Sequence, residues 1–265
     1  MGAFNFLRRF PGRCQRLGQA IRTVRRGQRF AAGMPISSRE AGVEAANPFR
    51  AYFDVVEEGP GIWKWRHYFD LYERHFSRFR GQSEIHLLEI GIYSGGSLGM
   101  WREVFGPSCH VHGVAIEPAC RTYAREGVSI HIGDQGDRAF WTRLRRELPP
   151  LDIVIDDGGH LPEQQIVTLE EALPLLKPGG VYVCEDIHHP MNLFHFYVMG
   201  LASQLNVSEP AEELPDGFRV PANGVQELVE SVSFYPYAVV IETRSSRLGE
   251  LRSQKHGTAW QPFFE

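Results

Sequence analysis

Two short acidic runs are the residues best suited to chemistry, Ile153-Val-Ile-Asp-Asp-Gly-Gly-His160 and Val183-Cys-Glu-Asp-Ile187. Each is an apolar run of strand type ending in adjacent carboxylates, Asp156-Asp157 and Glu185-Asp186, with one helix-spaced stretch between them. Neighbouring ends of parallel strands lie about 4.8 Å apart, so acids delivered there repel one another unless a cation sits among them. Oxygen donors without a cysteine or histidine set favour Mg²⁺ or Mn²⁺ over zinc. His160, three residues past Asp157, is placed to take a proton from a hydroxyl held on such an ion, because an unperturbed pKa of about 6.5 suits a general base. The competing reading is plainer: two helix caps, a solvated loop and a structural histidine.

The elements that would position these groups are legible around Leu87-Leu-Glu-Ile-Gly-Ile-Tyr-Ser-Gly-Gly-Ser97. Ile85, Leu87, Leu88 and Ile90 have strand character; Leu98, Met100, Trp101 and Val104 have helical spacing, and the period changes at Gly91, Gly95 and Gly96. Those glycines let a backbone turn closely around a ligand, and Ser97 is expected to open the helix. The pattern Glu-x-Gly-x-x-x-Gly is not the Gly-x-Gly-x-x-Gly of a dinucleotide site, which disfavours an NAD-linked oxidoreductase, and a carboxylate such as Glu89 suits a cationic ligand. It resembles the first motif of class I S-adenosylmethionine-dependent methyltransferases.

Beyond that motif, strand and helix alternate: 111–116 then 119–126, 128–132 then 137–147, 151–156 then 162–176, and 181–184 then 190–205. The expected fold is therefore α/β, a Rossmann-like, doubly wound, mostly parallel sheet of about seven strands, with ligands at the strands' carboxyl ends. Two strands near 232–235 and 238–243 supply the terminal antiparallel pairing, and 206–223 reads as a loop. Ahead of the core, 48–56 and 62–79 read as helices forming a helical cap over 46–80, with the core at 81–265. The aromatic-dense second helix is mostly core, with some rings free for a substrate wall or a homo-oligomer contact.

At 265 residues and 43% hydrophobic content, the chain holds one α/β domain and an appended segment. From Met1 to Met34 there are eight arginines and no acid, and the remainder sets 20 basic residues against 32 acidic ones, which disfavours nucleic acid as a partner. The segment 1–45 is a basic arm with apolar positions Phe4, Leu7, Phe10, Leu17, Ile21 and Val24 at helical spacing. It fits a membrane surface, a targeting peptide, a partner subunit or, most simply, a poorly ordered tail. Four cysteines without a Cys-x-x-Cys pair and no apolar run of about 20 residues point to a cytoplasmic protein without a transmembrane segment.

Taken together, Glu89-x-Gly91-x-Tyr93-x-Gly95-x-Ser97, Asp157-x-x-His160 and Glu185-Asp186 resemble the metal-dependent O-methyltransferases, and most of all the macrolide sugar O-methyltransferases and their so-called cephalosporin hydroxylase relatives. The resemblance covers about 81–205 and, weakly, Gly257 to Pro262. It implies that Glu89, Gly91, Tyr93, Gly95 and Ser97 hold S-adenosylmethionine, with Asp156 counted among the cofactor residues. It further implies that Asp157, Glu185 and Asp186 hold Mg²⁺ (or Mn²⁺), and that His160 and Asp157 are catalytic. One departure stands out: the family's ribose-binding acid falls at Ala115, while the acid here is Glu117, on the same face of an extended strand. Asp134 and Gln135 follow the next strand, where they either meet adenine or cap the helix at Asp137. The implied activity is methyl transfer to a hydroxyl of a small-molecule acceptor, a sugar or glycosylated natural product. The alternative, motivated by Ala115, is a non-catalytic S-adenosylmethionine-binding accessory protein.

Overall fold

The computed structural model describes residues 11–35, 46–189 and 191–257, with side chains from residue 18 onward. The expectations for Phe4, Leu7 and Phe10, and for the tail beyond Gly257, lie outside the described residues. The chain divides into two compact units, Met1–Ala45 and Ala46–Glu265. In the first, α1 (Pro11–Ala32) is a helix. Its side chains from Gln19 onward are exposed. Among the described residues, no helix is long and apolar enough to cross a membrane.

The second unit begins with α2 (Pro48–Val55) and α3 (Tyr68–Phe76). Asn47 caps α2 through its side-chain oxygen, which accepts from the amides of Phe49 and Arg50, and its amide nitrogen donates to the Phe69 carbonyl at 2.8 Å. One residue thus starts a helix and ties it to the next. Only 68–76 of the expected 62–79 helix is α-helical, followed by a single 3₁₀ turn at Ser77–Phe79. Residues 62–67 instead run as irregular chain whose Lys64 and Trp65 reach carboxylates far along the sequence, and these tertiary bonds override the aromatic spacing.

Alternation then proceeds as β1 (Ile85–Ile90), α4 (Gly96–Phe105), β2 (Cys109–Ala115), β3 (Val128–Ile132), α5 (Arg138–Leu144), β4 (Leu151–Asp156), α6 (Pro162–Ala172), β5 (Leu176–Cys184) and α7 (Leu193–Ser203). A short hairpin β6 (Glu212–Leu214) and β7 (Gly217–Pro221) follows, then α8 (Gly224–Leu228), β8 (Val229–Tyr235), β9 (Ala238–Thr243) and β10 (Glu250–Gln254). The main sheet has seven strands in the order β3-β2-β1-β4-β5-β9-β8, with β9 antiparallel to both its neighbours. This is the expected Rossmann-like sheet. The segment 206–223, expected to be a loop, contains the β6–β7 hairpin, which β10 extends into a second sheet of three strands. Its strands are polar and largely exposed, so no apolar alternation announced them.

The central strands are buried on both faces, which is why they read as near-continuous apolar runs. On one face, Phe49, Phe69, Tyr72, Phe76 and Trp101 from α2, α3 and α4 pack edge to face and stacked. On the other, Phe140, Trp141 and Leu144 of α5 join Leu169 of α6 and Phe194 and Val198 of α7. Crossovers leave β1 and β4 in opposite directions, so the order reverses between these two adjacent strands. A ligand crevice belongs at their carboxyl ends.

A row of histidines crosses β1 to β3, the half-buried His86 of β1, His112 of β2 and His131 of β3 with the exposed His110 of β2 beside them. Burial, and then its neighbour His131, lower His112 to about 4. A histidine that refuses a proton in the folded state makes the unfolded chain the better proton acceptor below its own value of about 6.5. Stability should therefore be full above pH 6.5 and fall as pH drops from 6.5 towards 4. Allowing for the partial exposure of the ring, His112 contributes about 1–2 kcal/mol of that loss. Urea unfolding at pH 7 and pH 4.5 checks it: His112→Leu should narrow the gap between the two pH values.

Candidate active site

The switch-point crevice opens into a cavity of about 880 Å³. Its floor is built from strand ends. Glu89 is fully buried on β1, where one oxygen, Oε2, accepts from Ser97 Oγ at 2.9 Å and Trp101 Nε1 at 3.0 Å. Ser97 therefore sits in the first turn of α4 without capping it; Gly95, in the left-handed conformation, is the cap. The second oxygen, Glu89 Oε1, is buried and accepts no hydrogen bond from a described residue. A buried carboxylate oxygen without a hydrogen bond is costly, and the cation that offsets it is the Lys64 ammonium, 3.8 Å away.

Gly91 follows directly at φ +89, and a Cβ there would overlap the Asp157 carbonyl and the Gly158 backbone. The glycine permits β1 and β4 to close on each other, and it is held by Gly91 N donating to Val114 O and Asp157 N donating to Ile90 O. Tyr93, also at positive φ, stands exposed at the cavity mouth.

The acids gather at the other end. Asp157, His160 and Asp186 each offer a ligand atom within 4.8 Å of the others. His160 Nε2 lies 3.8 Å from Asp186 Oδ2. His160 and Asp186 both adopt positive φ, +56 and +55, an uncommon conformation for side-chain-bearing residues that the surroundings must enforce. Gln135 contributes to that: its Oε1 accepts from Gly159 N at 2.7 Å, and its Nε2 donates to Asp156 Oδ1 and to Thr168 Oγ1. Gln135 lines the cavity, and its amide also braces the Asp157–His160 loop. Asp156 faces away, a buried acid bonded to Gln135 and Tyr182 and pushed up to about 7 by burial. It lies outside the cavity wall, whereas Ala115, Glu117 and Asp134 line it.

Glu185 is buried. Its Oε1 accepts from the Tyr72 hydroxyl and its Oε2 from Lys64 Nζ at 2.8 Å. Lys64 Nζ also donates to Asp157 Oδ2 at 2.6 Å and lies 3.8 Å from Glu89 Oε1. Burial alone would lower the lysine, but Asp157 and Glu185 outweigh it and hold its pKa well above the ordinary value. Burial lifts Glu185 above the usual carboxylate range against the pull of Lys64. Asp186 Oδ1 accepts from Trp65 Nε1 at 2.9 Å and from the Tyr68 hydroxyl at 3.0 Å. Of these four partners, Trp65, Tyr68 and Tyr72 were read from the sequence only as aromatics of the second helix, some of them free to wall a pocket, and Lys64 was missed. One signal for it existed: Lys64 is one of three lysines in a chain with 25 arginines, and it stands between two tryptophans.

Residues 88–187 match a family of methyltransferase domains, a span running from β1 through both acidic pairs. This segment is a methyltransferase domain. The chain is 38% identical over 124 residues to demethylmacrocin O-methyltransferase of Streptomyces fradiae, covering 44% of this chain and 30% of that protein. It is 30% identical over 207 residues to 8-demethyl-8-alpha-L-rhamnosyl tetracenomycin-C 2'-O-methyltransferase of Streptomyces olivaceus, covering 72% and 54%. The chain thus spans between about a third and a half of the length of these relatives. In three dimensions it is similar to MycE methyltransferase of the mycinamycin biosynthetic pathway, solved with Mg and SAH. The TM-score is 0.59 at 24% identity, over 76% of this chain and 54% of that one, and the shared feature is the fold.

Within the methyltransferase domain, Glu117 lines the cavity two residues beyond Ala115, at the strand end where a ribose-binding acid is expected. Glu117→Gln should weaken cofactor binding by about 1.5–3 kcal/mol, the range for a hydrogen bond to a charged group. Calorimetry with S-adenosylhomocysteine measures this, and unchanged affinity would remove Glu117 from the site.

Proposed function

We propose that this chain is an S-adenosylmethionine-dependent O-methyltransferase that works with a divalent ion, Mg²⁺ or Mn²⁺, on a hydroxyl of a sugar or glycosylated natural product. One observation carries the reading: a single cavity runs from the glycine cradle at Gly91 and the strand-end Glu117 to the Asp157–His160–Asp186 cluster, with the buried Glu89 behind the cradle. The first end fits S-adenosylmethionine. The second offers the carboxylate oxygens of Asp157 and Asp186 to a divalent ion, with the His160 imidazole beside them. The names of the relatives, O-methyltransferases of macrolide and rhamnosyl compounds, support the acceptor class. The free thiols Cys109, Cys120 and Cys184 support a cytoplasmic setting.

Bound at these residues, the ion would supply positive charge that favours an ionised acceptor hydroxyl, and the cofactor an electrophilic methyl group. The remaining work falls to the protein. Asp157 and Asp186 would hold the ion, while Glu185, expected as a third ligand, has both oxygens engaged by Tyr72 and Lys64 and stands behind them. His160 Nε2 would take the hydroxyl proton, and Asp186, 3.8 Å away, would stabilise the resulting imidazolium. Trp65 and Tyr68 fix Asp186, and Gln135 fixes the loop that presents His160. Exposed Trp63 and Tyr93 at the mouth would meet the acceptor.

The test is a methyl-transfer screen over sugars, glycosides and catechols, scored by mass gain, with and without EDTA. Cofactor binding without transfer to any acceptor would favour the accessory-protein alternative, and a rate indifferent to EDTA would remove the metal.

A further inference from the structure

Lys64 reaches the cavity floor from outside the sheet, from the irregular segment between α2 and α3. Its ammonium lies within 2.6–3.8 Å of carboxylates on three adjacent strand ends, Glu89 of β1, Asp157 after β4 and Glu185 after β5. The side chain is 3% exposed. A compact ammonium with three donors can serve three acids arranged around it, whereas the flat fork of an arginine pairs with one carboxylate side-on. The lysine is thus the chemically apt choice in a chain that uses arginine almost everywhere else.

Asp157 belongs to two groupings at once. Its Oδ2 binds Lys64, and it is a member of the cluster with His160 and Asp186. Charge arithmetic sharpens the point. Ionised, Glu89, Asp157, Glu185 and Asp186 carry four negative charges, of which Lys64 neutralises one. A divalent ion, plus a cofactor with sulfonium and ammonium against one carboxylate, would balance the rest if Lys64 remains in place.

We propose that Lys64 is a built-in counter-cation, a positioning residue whose ammonium holds Asp157 and Glu185 together before a divalent ion binds and yields Asp157 to that ion on binding. It keeps Glu185, and its nearest alternative partner is the Glu89 oxygen left without a hydrogen bond. The carboxylates are therefore assembled in advance, and the incoming ion competes with a resident charge for one of them. This rests on the divalent-ion reading proposed above.

The full chain offers a direct test, because its three lysines, Lys64, Lys177 and Lys255, give three side-chain signals when lysine is isotopically labelled. Lys177→Arg and Lys255→Arg assign them by elimination. On titration with MgCl₂ the Lys64 signal should move with the same midpoint as the calorimetric heat. Lys177, paired with Asp152 at the opposite end of β4, should stay still. Heat of Mg²⁺ binding with an unmoved Lys64 signal would overturn the counter-cation role and leave the metal reading intact. Absence of any heat would overturn the metal reading and this inference together. A second variant, Lys64→Met, removes the competitor and should bind Mg²⁺ roughly tenfold more tightly. Equal or weaker affinity in a folded Lys64→Met protein would count against the competition, and if that variant does not fold, the wild-type titration decides.

Discussion

His160→Ala should lower methyl transfer by roughly 10²–10⁴-fold at pH 7, the contribution typical of a general base. The loss should shrink as pH rises, because solvent hydroxide or spontaneous ionisation of the acceptor can replace the missing group. Added Mg²⁺ should not restore it. Asp157→Ala should behave oppositely: its loss should be partly recovered by raising Mg²⁺, since a weakened site refills by mass action. The contrast matters because His160 lies close enough to Asp157 and Asp186 to be a ligand itself. Recovery of His160→Ala by Mg²⁺ would make the imidazole a ligand and leave the base to another group. Both readouts use one acceptor, two variants and a grid of pH and Mg²⁺.

Gly91→Ala should be the most disruptive single-methyl substitution in the core of the fold. Alanine at φ +89 costs about 1–2 kcal/mol by itself. The added carbon would also overlap the Asp157 carbonyl and Gly158, both backbone, and overpacking of that kind costs about 1–3 kcal/mol more. Together the variant should lose about 3 kcal/mol of stability and, by separating β1 from β4, its cofactor affinity. Gly106→Ala is the control. That glycine also has positive φ, +83, but open space where the methyl would stand. It should lose only the conformational part, about 1–2 kcal/mol. Equal denaturant midpoints for the two variants would show that the close approach of the strands is not what requires Gly91.

The contrast between what the sequence disclosed and what it concealed follows from where information is local. β1 and β4 were legible at their observed bounds because doubly buried strands leave short, continuous apolar runs, and the edge strand β3, only partly buried, was legible from its β-branched residues. The Asp157–His160 and Glu185–Asp186 pairs were legible because each lies at the end of such a run. The partners of those acids were not. Lys64 reaches Asp157 across 93 residues and Glu185 across 121, and no spacing rule connects positions so far apart. Trp65 and Tyr68 looked like ordinary helix aromatics, and only their polar ends, aimed at Asp186, distinguish them. The bracing role of Gln135 was hidden too: its position after β3 suggested a ligand contact, and the structure adds that its donor and acceptor join two loops.

The reach of 62–72 into the acid cluster also bears on how the protein can be divided. The recognisable domain begins at residue 88, yet the cation and the hydroxyls that satisfy its acids enter from residues 64, 68 and 72. A chain cut just before β1 would keep every motif by which the domain is recognised. It would also gather its carboxylates at one edge with nothing to offset their mutual repulsion. The unit that can be transplanted, fused or expressed alone therefore starts no later than Asn47, whose side chain fastens α2 to α3. Boundaries drawn by similarity and boundaries drawn by charge fall some forty residues apart in this protein, and only the second yields a piece able to stand without a borrowed cation.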